Sequence, residues 1–132
     1  MRPIKPGARG SSVLTVAPGH LASQFKDAAL PPVLATPIMV LMMENAALDA
    51  IRPFLEPGES AVGTAIAVRH LAATPVGQEV RAEAEVTRVD GNRVEFRVTA
   101  HDETEEIGSG THERMVVDRR RFDRRLAKKA GE

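Results

Sequence analysis

The chain has 132 residues, with 18 Lys+Arg balanced by 18 Asp+Glu, four His and no Cys. That length suits one domain with a real core. The balanced charge removes any global field toward nucleic acid or membrane, and the missing cysteine removes disulfides, thiolate catalysis and Cys-ligated zinc. With four Phe and no Tyr or Trp, sugar-stacking platforms and base-stacking RNA modules are disfavoured as well.

The start, MRPIKPGARG, carries no apolar signal core. The longest apolar stretch, around residues 37–43, is far too short to span a bilayer. A cytoplasmic protein with neither nucleic-acid nor membrane partners is therefore expected.

Residues 11–17 (SSVLTVA) read as a short strand. Pro31-Pro32 forbids a helix through residues 20–35. Thr36-Pro37 then reads as a helix start, with Thr36 as N-cap and Pro37 at the first helical position. The helix runs to about Arg52, where Pro53 and the turn Glu56-Pro57-Gly58-Glu59 stop it. Its first half is apolar nearly all round, the pattern of a buried helix. Within it Glu44 shares a face with Val40, Leu41, Leu48 and Ile51, while Asn45, Asp49 and Arg52 mark the polar face. A carboxylate on the apolar stripe is costly unless paired or protonated. Such a cost persists where chemistry uses it; the plain alternatives are that Glu44 borders the stripe, snorkels outward or pairs with a buried arginine. Met39, Met42 and Met43 read as core filler.

Four strand-like segments follow, about 61–74, 78–90, 93–102 and 106–117. Asp90-Gly91-Asn92 is a tight hairpin signal between alternating runs. On the first segment the even positions Val62, Thr64, Ile66, Val68 and His70 share one face by period two. That places His70 toward the helix carrying Glu44, where a neutral imidazole acts as base or orients a carboxylate. Gly63 suits close approach of substrate to backbone, or marks only a bulge or tight packing. Gly108-Ser109-Gly110 lies on a strand, where packing of small residues explains it better than phosphate cradling. His20, His70, His101 and His112 show no HExxH or other metal-ligand spacing, so neither a metal nor another cofactor is expected. After Asp118 the chain is polar and basic, with Phe122 and Leu126 at i, i+4, and reads as a short amphipathic helix or a frayed tail.

A short strand, one buried helix and a run of antiparallel strands is an α+β order. A helix apolar on most sides needs a sheet curled around it, which is the hotdog arrangement. The expectation is a single hotdog domain over residues 1–132, about five strands wrapped on one central helix, with 1–10 and about 119–132 peripheral. A homodimer is expected, since the wrapped helix still leaves one side open.

Three separated blocks, ATP-IMV-LMMENA, LEPGESAVGTAIAVRHLAATP and HDETEEIGSGTHER, resemble the fluoroacetyl-CoA thioesterase family of hotdog proteins over roughly residues 30–117. The resemblance implies a homodimeric thioesterase cleaving small acyl-CoA thioesters. It implies a catalytic Thr, Glu and His at Thr36, Glu44 and His70. It further implies a backbone N–H facing the thioester carbonyl at Gly63, and an arginine near the pantetheine and phosphate end at Arg114. The family's aromatic lid has no counterpart here. The matching positions are Asp27 and Leu30, which leaves Leu30 as the residue to meet substrate and puts fluoroacetyl selectivity in question.

Acyl-CoA hydrolysis, with coenzyme A only as part of the substrate, is the leading expectation. A non-hydrolytic acyl-CoA-binding or regulatory hotdog protein is the alternative. The residues Arg119, Arg120, Arg121, Arg124, Arg125, Lys128 and Lys129 read as a solvated face, or as an attractor for the CoA phosphates. Thr36 and Glu44 are eight positions apart, about 12 Å along a helix. A site shared between subunits is therefore expected, with Thr36 of one chain facing the partner's Glu44, and His70 most simply from the chain supplying Glu44.

Overall fold

A computed structural model describes residues 1–132 except Phe25, Lys26 and Ala28. Five strands, β1 (Arg9–Thr15), β2 (Glu59–His70), β3 (Glu79–Asp90), β4 (Arg93–His101) and β5 (Glu106–Asp118), form one antiparallel sheet in the order β1-β3-β4-β5-β2. The sheet curls against α1 (Thr36–Ile51), and α2 (Arg119–Lys129) closes the chain. Short 3-10 turns lie at Pro18–His20, Ala22–Gln24 and Arg52–Phe54. This is the expected hotdog arrangement.

Strand alternation builds the core. Val80, Ala82, Ala84 and Val86 of β3, with Val94, Phe96, Val98 and Ala100 of β4, are all buried, while the residues between them face outward. Alternation of this kind belongs to a sheet with one covered face. The β3–β4 hairpin closes at Asp90↔Arg93, and Gly91 takes the left-handed conformation, φ 60°, that the tight turn requires. β1 passes close to α1 because Gly10 has no side chain; a Cβ there would strike the Ala46 carbonyl and the Ala50 backbone.

The helix is covered on one side only. Its buried residues are Met39, Met42, Met43, Ala46, Ala47, Ala50 and Ile51, so the three methionines are core. The face read as buried through Val40, Leu41 and Leu48 is not: Leu41 is 50% exposed, and Val40 and Leu48 are half-buried. The helix packs mainly against β1 and β3, and period alone does not distinguish a sheet-facing apolar stripe from a second, open one.

β2 ends at His70, earlier than the expected residue 74. Thr74 is instead turned inward, fully buried, and donates to Asp102 Oδ2 at 2.9 Å. The strand also bulges: its register against β5 shifts between Gly63 and Ala65. The extra residue reverses the alternation. Gly63, Ile66, Val68 and His70 consequently share the helix side, and Val62 falls on the opposite face from them, against the simple period-two expectation.

β1 and β2 are the two sheet edges. Residues 63–67 of β2 are exposed throughout, and Ile66 is 38% exposed. A bare edge strand presents unpaired backbone donors and acceptors.

Candidate active site

Two groups of polar side chains lie on the helix side of β2, at its two ends.

The first gathers around Glu44. β5 sends His112 and Arg114 inward on alternate positions, where they are 3% and 7% exposed. Arg114 Nη1 donates to Glu44 Oε2 at 3.3 Å, and Nη2 donates to the Ala61 carbonyl at 2.9 Å. Glu44 is thus not a carboxylate buried without explanation. It stands at the border of the packed stripe, its side chain 36% exposed, and is held by a buried arginine. Burial works against the Arg114 cation and lowers its pKa, while Glu44 opposes that shift. Arg114 thus faces the carboxylate from within the sheet.

Gly63 completes this group. A Cβ on Gly63 would lie 2.5 Å from Glu44 Oε2 and 3.3 Å from His112 Cε1. The space a side chain would fill is occupied by the carboxylate, so backbone and Glu44 meet closely at the exposed rim. Glu44, Gly63, Thr64, Ala65, Ile66 and His112 line an open hollow of about 300 Å³.

The second group is Thr36 with His70. Thr36 Oγ1 and His70 Nδ1 are 2.7 Å apart. Thr36 is the first residue of α1; Ala35 holds the cap position and no side chain caps the helix. The hydroxyl expected to serve as N-cap is committed to the imidazole. Burial pushes the His70 pKa below its ordinary 6.5, with the Ala72 backbone acting the other way. The ring is therefore neutral near pH 7 and able to accept a proton. His70 Nε2 is buried with no close hydrogen-bond partner among the described residues. Thr36, His70, Val33, Leu34, Leu71 and Ala72 belong to a hollow of about 310 Å³. Leu30 does not line it; it is 41% exposed in the turn after Asp27.

Strand period predicts His70 opposite Glu44. The structure gives that place to His112, and His70 belongs with Thr36. His112 had a signal of its own: it is a polar residue at an inward position of an alternating strand, the same kind of anomaly that marked Glu44. Gly108 and Gly110 need to be small for packing, since a Cβ on Gly108 would meet Met39 and one on Gly110 would meet the Ala67 and Val68 backbone. Among the described residues no three His, Asp or Glu side chains group as metal ligands, and none of their helices is long and apolar enough to cross a membrane.

Residues 16–120 match the family model described as fluoroacetyl-CoA-specific thioesterase. The fluoroacetyl-CoA thioesterase of Streptantibioticus cattleyicolor is 50% identical over 111 residues, covering 83% of this chain and 80% of that protein. A solved mutant of the fluoroacetyl-CoA-specific thioesterase, in complex with fluoroacetate and CoA, is 44% identical and superposes with a TM-score of 0.85 over 89% of this chain and 98% of the other. A hypothetical protein of Thermus thermophilus, a thioesterase superfamily member, is 35% identical with a TM-score of 0.91 over 99% and 98% of the two chains.

Proposed function

The chain belongs to the fluoroacetyl-CoA-specific thioesterase family and is a hotdog-fold thioester hydrolase acting on acyl-CoA; we propose that it cleaves small acyl-CoA thioesters at a centre built from Glu44, Gly63, Thr36 and His70. The observation that carries the reading is the meeting of Glu44 with the bare backbone of Gly63 at an open rim. A thioester carbonyl needs an activated oxygen on one side and a donor for the developing oxyanion on the other. Glu44 supplies the first, and the Gly63 N–H suits the second.

Two routes are open to the carboxylate. In one, Glu44 takes a proton from water, the water oxygen adds to the carbonyl carbon, the C–S bond breaks, and the CoA thiolate leaves and is protonated. In the other, Glu44 attacks the carbonyl carbon itself, the C–S bond breaks, and water then cleaves the mixed anhydride to the free acid. In the second route the neutral His70, hydrogen-bonded to Thr36, is suited to accept the proton of the water that cleaves the anhydride.

We further propose that the working site is shared within a homodimer. In one chain Gly63 and His70 are seven residues apart on β2, about 23 Å along a strand, too far to touch one acyl group. Antiparallel pairing of two β2 edges about a two-fold axis between Ile66 and Ala67 would set Gly63 of one protomer opposite the partner's His70. The exposed run 63–67 and the open Leu41 and Ile66 support this reading. Thr36 and His70 of one protomer would then complete the Glu44 half of the other.

The CoA phosphates have a suitable counterpart in α2. Residues 119–129 carry seven basic side chains and one acidic, whereas residues 1–118 carry eleven basic and sixteen acidic. Only Arg119 is paired, with Asp123 at 3.5 Å; the remaining cations form a face free of protein acceptors among the described residues.

Thiol release from a panel of acyl-CoAs, followed with a thiol-reactive dye, tests the reading. Release from short acyl-CoAs is expected. With no aromatic at Asp27 or Leu30, acetyl-CoA and fluoroacetyl-CoA should differ by no more than about 1–3 kcal/mol in kcat/KM, the worth of a hydrophobic contact. Binding of acyl-CoA without thiol release would instead make the protein a non-hydrolytic binder.

A further inference from the structure

His112 is the buried titratable group that the proposed chemistry does not use, and every polar atom of its ring is spoken for. Nδ1 lies 2.8 Å from the Ala65 carbonyl. A carbonyl only accepts, so Nδ1 carries the proton. Nε2 lies 3.3 Å from Arg114 Nη1. A guanidinium only donates, so Nε2 presents its lone pair. Both contacts hold together only in the neutral ring with its proton on Nδ1. The ring is further fixed by stacking on Phe96, centroids 5.8 Å apart and planes at 26°.

Arg114 Nη1 has two hydrogens and two acceptors, Glu44 Oε2 and His112 Nε2, both at 3.3 Å. Glu44 from α1, and Arg114 and Glu113 from β5, are the charged groups that act on the ring; β2 adds the Ala65 carbonyl and β4 the Phe96 ring. A protonated His112 would turn an N–H and a positive charge onto the guanidinium and break the contact.

We propose that His112 is a positioning residue for the reaction: as a neutral acceptor it clamps Arg114, which in turn holds the Glu44 carboxylate against Gly63. The bulge in β2 has a part in this, because it is the Ala65 carbonyl, at the bulge, that fixes the ring's proton. The role rests on the reading of Glu44 as the reacting carboxylate, but the clamp itself does not.

Two measurements separate the clamp from that reading. Ring 15N resonances of the labelled wild-type protein at pH 7 read the clamp without any substrate. A protonated Nδ1 and a bare Nε2 are expected for His112; the opposite tautomer or an imidazolium overturns the proposal. Kinetics then read the role. His112→Phe keeps the stacking and loses both hydrogen bonds. It should lower kcat about 10- to 100-fold, the size of a lost hydrogen bond to a charged group, with KM little changed. His112→Gln, whose amide supplies N–H donors and a carbonyl acceptor, should recover most of that loss. Because His112 acts through Arg114, the double variant His112→Phe/Arg114→Met should be no slower than Arg114→Met alone. Wild-type kcat in a folded His112→Phe, failure of His112→Gln to recover activity, or effects that multiply in the double variant overturn the role. If His112→Phe does not fold, the tautomer and the His112→Gln rate still decide it.

Discussion

Thr36 Oγ1 and His70 Nδ1 meet at 2.7 Å within one chain, at the start of α1 and the end of β2, whereas Glu44 is held two helical turns further on by Arg114. The three residues named by the family resemblance therefore divide as two and one. In the centre we propose, the hydroxyl paired with the imidazole forms one half, and the carboxylate on a bare backbone forms the other.

That division makes a direct test of a shared site. Thr36→Ala and Glu44→Gln are each expected to be nearly inactive as homodimers. Mixed dimers of the two should recover activity, because one of their two sites keeps both residues and the other keeps neither. Absence of recovery in a demonstrated heterodimer would show that the two residues act within one chain.

Glu44→Gln keeps shape and removes charge. Loss of a positioned acid–base or nucleophilic group should lower kcat by at least ~100-fold. Arg114 would then be a buried cation without its carboxylate, so stability should fall by about 1 kcal/mol, less than for a fully buried pair because Glu44 stands at a partly exposed rim. Hydrolysis near the wild-type rate would remove Glu44 from the mechanism. Single turnover in 18O-water tests the anhydride route: label entering Glu44 marks an anhydride opened by water at the Glu44 carbonyl.

Gly63→Ala probes the same contact from the other side. The added Cβ would sit 2.5 Å from Glu44 Oε2, and the flexible end of a side chain moves aside cheaply. The expected result is a folded protein, destabilised by under about 1 kcal/mol as for a tolerated surface change, in which kcat falls because the carboxylate is displaced from the backbone. Unchanged kcat would show that the close approach is not needed.

His70 and His112 are both held below their ordinary pKa, burial being the largest cause in each. The unfolded chain therefore takes up protons near pH 6.5, before the folded chain does. Stability is present in full above that pH, declines as pH drops through about 6.5, and levels off below the folded values. Urea midpoints should be lower at pH 5.5 than at pH 7.5, and replacing both histidines by Gln should flatten the difference. A midpoint that does not move, or rises on acidification, contradicts the assignment of neutral buried rings.

The sequence by itself determined the elements and much of the chemistry. Period two in β3 and β4, the Asp90-Gly91-Asn92 turn, the prolines at 31, 32, 37 and 53, and the apolar run of α1 are local signals, and local geometry obeys them. Glu44 stood out for the same reason, as a charge among apolar neighbours. What it faces was not legible, because Arg114 lies 70 residues away and only the folding of β5 beside β2 brings the two together. The bulge at Thr64 decided the rest. One unpaired residue reversed the alternation of β2, put Gly63 and His70 on the same side, and turned the Ala65 carbonyl to His112. Period counting assumes an unbroken ladder and passes over such a shift. Which histidine meets Glu44 and which meets Thr36 is thus a matter of strand register, fixed by pairing across the sheet and not by spacing along the chain.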